Sequence, residues 1–348
     1  MSLSRIQSVD IFRLLAIVAV ISIHTTPFDI GQNSDYSYDW KIGFFINQVA
    51  RFAVPFFFVI SGYFWGMKIR QGGNPIAYSL KSANRILSLL LFWCVIYLVP
   101  FDEISSSFSE LGLIGPIKHT YWHINSLLQD PFTLIFQGTR VHLWFLISLV
   151  ISILISSLFL YKQWVNWLIL FSIMLYIFGI FAKSYVDTPV GINIEFNTRN
   201  GPFFGTILFV AGYYISGLKP NKKWFLYGFL IFFVGTIMHF AEITILFKLY
   251  GTQLQQDYVF GTLLMGVGVA IISLSNHPLL QSKLLASLGK LTLGVYASHF
   301  IFVELLKNVD KRYNSIAWEI GYVFIVLILS ILLTILLSKF KLTRRFVV

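Results

Sequence analysis

Apolar residues in this chain run in long, unbroken blocks. Blocks able to cross the roughly 30 Å hydrocarbon layer of a bilayer fall at about 8–28, 41–66, 84–100, 141–160, 164–182, 200–218, 224–247, 257–275, 291–307 and 316–338. They lack the period-two alternation of barrel strands. The pattern therefore predicts an all-α membrane helix bundle of about ten crossings. Several blocks contain Gly or Pro, among them Pro55, Gly62, Gly205, Gly212, Gly266 and Gly268. Membrane helices tolerate these where neighbours satisfy the freed backbone groups. The first block is too long for a signal-peptide core and has no small-residue cleavage site, so it is expected to stay as a helix. Gaps are short, which predicts a single membrane domain over residues 1–348 without an appended soluble one. The longest gap, about 101–140, holds Pro100, Pro116, Pro131 and the pair Tyr121–Trp122. It predicts a short interfacial helix or re-entrant piece capping one face.

Composition sharpens the picture. Of 348 residues, 57% are hydrophobic and only 12% charged, about half the charge of a soluble domain. Lipid must be the solvent for most of the surface. The 26 Lys and Arg outnumber the 15 Asp and Glu, yet the excess lies in short loops and needs no nucleic-acid partner. With a cytoplasmic N-terminus, the inner segments hold Arg5, Lys68, Arg70, Lys81, Arg85, Lys162, Lys219, Lys222, Lys223, Lys283, Lys290, Lys339, Lys341, Arg344 and Arg345, and no acid. The outer segments hold Asp29, Asp35, Asp39, Asp102, Glu103, Glu110, Asp130, Asp187, Glu195 and Asp310. That asymmetry predicts both termini inside. The single cysteine, Cys94, lies in an apolar block and suits packing.

A charge inside the bilayer is costly and marks function by default. In the first block, Asp10, Arg13 and His24 share a side: Arg13 and His24 are separated by about 16 Å of rise and about 20° of rotation. Asp10 and Arg13 fit either a paired anchor at the membrane edge or part of a site. His24 has no ionic partner within a turn and fits a general base near neutrality. Arg51 stands at a depth similar to His24 and cannot neutralise itself, so it requires an anion or carboxylate. His142 opens the fourth crossing within Val141–Leu146, where an aromatic belt is the ordinary explanation. His239 and Glu242 share a helix face and suit a buried structural pair. His299 lies near mid-membrane with Tyr296 one turn below. Ser61 falls near the inner side, in Ile60-Ser61-Gly62-Tyr63. His119 and His123 lack the intervening Glu and third ligand of a zinc site, so no metal is expected.

Taken together, Asp10-Ile11-Phe12-Arg13 with His24, Val54-Pro55-Phe56-Phe57-Phe58-Val59-Ile60-Ser61-Gly62-Tyr63, His142-Leu143-Trp144-Phe145-Leu146, and Leu288-Gly289 with Tyr296 and His299 resemble the acyltransferase-3 family of membrane O-acyltransferases. The chain is similar to the family's short, stand-alone members. The resemblance implies a bacterial inner-membrane enzyme taking an acyl group, usually acetyl, from cytoplasmic acyl-CoA. The acceptor it implies is a hydroxyl of a surface polysaccharide, a lipid-linked oligosaccharide or peptidoglycan. The family's arginine and histidine of the first crossing map onto Arg13 and His24. Of its paired arginines before the third crossing only Arg85 matches; Ser82 takes the other place, beside Lys81.

These readings converge on one expected route. Lys68, Arg70, Lys81 and Arg85, with Ser61 nearby, form a cationic inner mouth for the phosphates of acyl-CoA. The thioester reaches His24 along the polar stripe of Asp10 and Arg13, and His24 deprotonates the acceptor hydroxyl. Arg51, Tyr296, His299 and His142 are candidates to meet the acceptor or the oxyanion. A carrier or flippase for a lipid-linked sugar remains open, since such residues also line transport paths, as does a sensor whose charges only fix packing.

Overall fold

A computed structural model describes residues 6–28, 38–313 and 315–347; Arg5, Asp29 and Asp35 of the charge asymmetry lie outside the described residues. Among those described, regular structure is entirely helical. The chain opens with α1 (Gln7–Thr25), α2 (Tyr38–Ala50), α3 (Ala53–Arg70) and α4 (Pro75–Ile96). The long gap folds as α5 (Ile104–Leu111), α6 (Gly115–Gln129) and α7 (Pro131–Gln137), more helix than one interfacial piece. Then come α8 (Trp144–Tyr161), α9 (Val165–Phe181), α10 (Pro202–Ile215), α11 (Trp224–Tyr250) and α12 (Phe260–Leu274). The chain finishes with α13 (Lys283–Gly289), α14 (Thr292–Asp310), α15 (Ile316–Lys339) and the one-turn α16 (Lys341–Arg344).

Among the described residues, six helical segments are long and apolar enough to cross a membrane, and α13 with α14, bent by 65°, make up to seven. The count expected from the apolar blocks is higher because α9, α10 and α12 have 17, 14 and 15 residues, below the roughly 20 needed for a full straight crossing. Interior helices do not have to meet lipid along their whole length, and α10 and α12 are interior: Phe204, Leu208, Phe209, Met265 and Ala270 are buried.

Two expected boundaries move for local reasons. The block 41–66 is broken between α2 and α3 at Arg51–Phe52. Pro55 has no N–H to offer the carbonyl of Arg51 and its ring crowds it, so the ladder gives way there. The third crossing starts at Pro75, nine residues before the apolar block at 84, because Asn74 caps it. The Asn74 side chain accepts from Ala77 N at 3.0 Å, and Pro75 occupies the first helical position.

Polarity is inverted relative to a soluble bundle. Leu230, Phe233 and Ile237 of α11 and Ile328 and Leu332 of α15 are exposed, while Ser148, Ser152, Thr206, Ser298 and Ser330 are buried. Some of these buried hydroxyls bond within their own helix, as in Ser298 to Gly294 O at 2.8 Å and Ser330 to Val326 O at 2.6 Å, while Ser148 reaches across to Gly201 O at 2.5 Å. Without a hydrophobic drive between helices in lipid, small residues permit close approach. At the α3–α10 seam a Cβ on Gly62 would meet the carbonyl of Phe209, and one on Gly212 the carbonyl of Val59. Gly289, at the end of α13, sits as closely against the carbonyl of Asp10 in α1. These contacts fix α3 against α10 and α1 against α13, which leads into α14; α1 and α14 carry two of the polar residues described next.

Candidate active site

Three elements bring three imidazoles together. His24 lies in the last turn of α1, which ends because Thr26 turns left-handed (φ 43°) before Pro27. His142 lies in the single 3-10 turn Val141–Leu143 leading into α8, and His299 on α14. Ring centroids are 5.4 Å apart for His24–His299, 5.1 Å for His142–His299 and 6.5 Å for His24–His142. His142 and His299 are buried, whereas His24 is half-buried.

An aromatic wall holds the trio. Phe300 stacks on His142 at 4.9 Å and meets His24 edge-on at 5.1 Å. Tyr97 meets His142 edge-on at 5.0 Å and donates its hydroxyl to Ala297 O at 2.7 Å. The Tyr296 hydroxyl donates to the carbonyl of His142 and so fixes that turn. His299 Nδ1 lies 2.7 Å from Tyr296 O. A carbonyl only accepts, so Nδ1 carries the proton and the Nε2 of the neutral ring keeps a lone pair. That Nε2 has no partner among the described residues, and neither do the two ring nitrogens of His142. A proton acceptor is thus held in a site with unmet hydrogen-bonding capacity.

A second cluster stands beside the first. Asp257, in the loop between α11 and α12, receives Arg51 Nη1 at 2.7 Å, Lys183 Nζ at 3.1 Å and Arg199 Nη1 at 3.4 Å. Arg51 also donates to Asn47 Oδ1 at 2.9 Å. Burial alone raises the Asp257 carboxyl, but Arg199, Arg51 and Lys183 outweigh it and hold the group below the usual carboxylate range. Three cations face one carboxylate in this cluster. Arg51, Lys183 and Asp257 border a cavity of about 410 Å³ that Asp187 and Gln253 also line. The charges of Arg199, Arg51 and Asp257 act on His24. Arg199 additionally covers the ring of Trp144 at 5.1 Å, two residues after His142.

The remaining expected residues fall into separate places. Arg13 Nη1 meets Asp10 Oδ1 at 3.0 Å, with Asp10 buried and the guanidinium 5.5 Å from the centre of the Phe64 ring. Arg13 lies about 16 Å, and Asp10 about 21 Å, along α1 from His24. Ser61 is half-buried on α3. Lys68 and Arg70 end α3, and Lys81 and Arg85 lie in the first half of α4, at the same end of that hairpin. Arg70 packs over Tyr213 at 4.6 Å and donates to Ser216 Oγ at 3.1 Å, so it also serves the contact with α10. His239 and Glu242 are not paired with each other. His239 bonds Gln48 Oε1 at 2.9 Å and Thr262 Oγ1 at 3.0 Å. Glu242 instead accepts from the Phe260 and Gly261 amides that open α12, and from Tyr185.

Sequence reasoning missed Lys183 and Arg199, whose loop positions look ordinary, Asp257, a carboxylate at the very start of the apolar block 257–275, and the buried pair Arg140 and Glu304, joined at 2.8 Å. Glu304 did carry a signal: a carboxylate inside the apolar block 291–307.

A bundle with lipid-type surfaces and a buried imidazole cluster is a polytopic membrane protein with an internal polar site. The family model described as acyltransferase domain matches residues 6–338; the chain belongs to the acyltransferase-3 family, and with it to the membrane acyltransferases. An amino-acid racemase of Enterococcus faecalis is 26% identical over 97% of this chain and 46% of its own length. Another protein of that name from the same organism is 28% identical over 62% of this chain and 29% of its own. A serine/alanine racemase of Enterococcus gallinarum is 26% identical over 68% of this chain and 33% of its own. The chain spans less than half the length of these curated relatives. No solved structure matches it.

Proposed function

We propose that this protein is an O-acyltransferase of the bacterial inner membrane, with ten crossings and both termini cytoplasmic, moving an acetyl or similar group from acyl-CoA to a glycan hydroxyl. The observation that carries the reading is the convergence of His24, His142 and His299, with an available imidazole lone pair, beside a cluster holding more cations than acids.

Acyl-CoA is a substrate here, entering past Lys68, Arg70, Lys81 and Arg85 and along α1 past Ser61, Arg13 and Asp10. At the trio, His24 takes the proton of the acceptor hydroxyl, and His299 Nε2 is placed to share it. The oxygen attacks the thioester carbon, forming the new C–O bond. The field of Arg51 and Arg199 stabilises the tetrahedral oxyanion. As that intermediate collapses the C–S bond breaks, and the imidazolium returns its proton to the departing CoA thiolate. Tyr296 acts as a positioning residue, because its hydroxyl is committed to the His142 carbonyl. His142 lines the acceptor side.

The acceptor is a hydroxyl of a cell-surface or lipid-linked sugar. The names of the relatives favour a second acceptor class, a hydroxy amino acid. The test is release of CoA thiol by the purified protein in lipid nanodiscs, given acetyl-CoA and a panel of sugars and serine, with the product read by mass. Wild type is expected to release thiol and add an acetyl group, and His24→Ala to do neither. A protein that ignores acetyl-CoA but moves a lipid-linked sugar across vesicles is a carrier, and the acyl-transfer reading then falls.

A further inference from the structure

A cavity of about 380 Å³ lies between α6, α7 and α14, lined among others by His123, Ser126, Arg140, Phe300 and Glu304. Its walls belong to the same elements as the imidazoles. Arg140 stands two residues before His142, and Glu304 five residues after His299. Tyr296, Phe300 and Glu304 follow one another at i, i+4 on a single face of α14. Phe300 is shared: it lines the cavity and its ring touches both His142 and His24. One aromatic ring therefore separates the cavity from the trio.

The polar groups in this cavity are incompletely used. Arg140 Nε sits 2.8 Å from Glu304 Oε1, and Arg140 Nη1 lies 3.1 Å from His123 Nε2. Arg140 Nε and Nη2 and Glu304 Oε2 have no hydrogen-bond partner among the described residues, although the side chains are only 14% and 9% exposed. A buried ion pair with an unmet donor and an unmet acceptor is unfavourable unless something in the cavity completes it. Net charge across the pair is zero, so an ionic ligand is not required. A ligand that both donates and accepts at neighbouring positions is required, and a vicinal diol does that: one hydroxyl donates to Glu304 and the other accepts from Arg140. The largely apolar remainder, with Leu127, Leu134 and Phe300, suits the C–H face of a sugar ring.

We propose that this cavity is the acceptor subsite, that it takes a neutral sugar ring through paired hydroxyls on Glu304 and Arg140, and that Phe300 is the wall across which the reacting hydroxyl meets His24. The assignment rests on the acyl-transfer reading for its chemistry but not for its binding, and two measurements separate them.

The first needs no catalysis. With Cys94 replaced by Ser, the single cysteine of Ser126→Cys, at the exposed rim, is labelled with a membrane-impermeant maleimide in nanodiscs. Methyl glucoside at saturating concentration is expected to slow labelling severalfold. Protection by glucuronate or serine alone, or none by any probe, overturns the subsite, whether or not acetyl-CoA is used. The second is kinetic. Glu304→Gln keeps the shape and loses the stronger acceptor, and is expected to raise KM for the glycoside about tenfold. It is expected to move kcat and the KM for acetyl-CoA little. Equal changes in both KM values, or a fall in kcat alone, assign the pair to structure and overturn the proposal. Should Glu304→Gln fail to fold, the labelling measurement still decides. Absence of CoA release by wild type, with glycoside protection intact, removes the acyl-transfer reading and leaves the sugar site standing.

Discussion

Asp257→Asn isolates the electrostatics of the cationic cluster, because the amide keeps the size of the carboxylate and removes its charge. In the native protein three cations approach its oxygens at 2.7, 3.1 and 3.4 Å, and all four side chains are between 15% and 24% exposed. Breaking a buried pair costs about 3–5 kcal/mol. Residual exposure puts the loss here at the low end, about 3 kcal/mol. At about 2 °C per kcal/mol for a large domain, Tm should fall by about 6 °C. Thermal unfolding followed by tryptophan fluorescence of the detergent-solubilised protein measures it. Adding Lys183→Gln removes one of the three like charges and should restore about 2 °C. The pH dependence has a definite sign. The Asp257 carboxyl is held below its unfolded value by Arg199, Arg51 and Lys183 acting against burial. Its contribution is therefore fully present above the unfolded carboxylate pKa of about 3.9 and is lost as pH falls through the lower folded value. The Tm gap between wild type and Asp257→Asn should stay constant from about pH 8 to pH 5 and close only in stronger acid. A gap that opens near neutrality, or a double variant less stable than Asp257→Asn, would refute the reasoning.

Other outcomes follow from the same structure. His24→Ala should abolish acetyl transfer while leaving membrane expression and Tm within about 2 °C, since its ring is half-buried. Tyr296→Phe removes the hydroxyl that holds the His142 carbonyl, and should lower kcat about tenfold with little change in KM for acetyl-CoA, as expected when one positioning hydrogen bond is lost. Gly62→Val would drive a branched side chain into the carbonyl of Phe209. It should cost at least about 3 kcal/mol and appear as aggregation in size-exclusion chromatography, whereas Gly72→Ala, with open space around it, should be read as backbone strain alone and remain monodisperse.

Legibility in the sequence followed the range of the force involved. Lipid imposes a constraint along the chain, so apolar blocks read directly as helices even where their ends moved. Each of His24, Arg51 and His299 was visible alone, because an ionisable group in an apolar block has no bland solvent-exposed alternative. Their company was not visible. His142 looked like a belt residue until the fold set it between His24 and His299. Arg51 announced the need for an anion, but its carboxylate arrives 206 residues later in a polar loop. The pair His239 and Glu242 failed for the opposite reason: helical spacing put them on one face, and tertiary partners on α2 and α12 took both. The break at Arg51 was written in Pro55, whose effect falls four residues upstream of itself.

The pairing of Asp10 with Arg13 has a consequence for how the molecule is made. Partners three residues apart emerge from the ribosome together, so the first helix can leave the insertion machinery already neutralised at its inner end, before any neighbour exists. The Arg51 charge has no such local escort, and its hairpin has to wait in the membrane until Asp257 is synthesised. Lengthening the delay between those two segments, for example with a translational pause placed after α11, should therefore expose the hairpin to membrane proteases, while the first helix remains safely inserted.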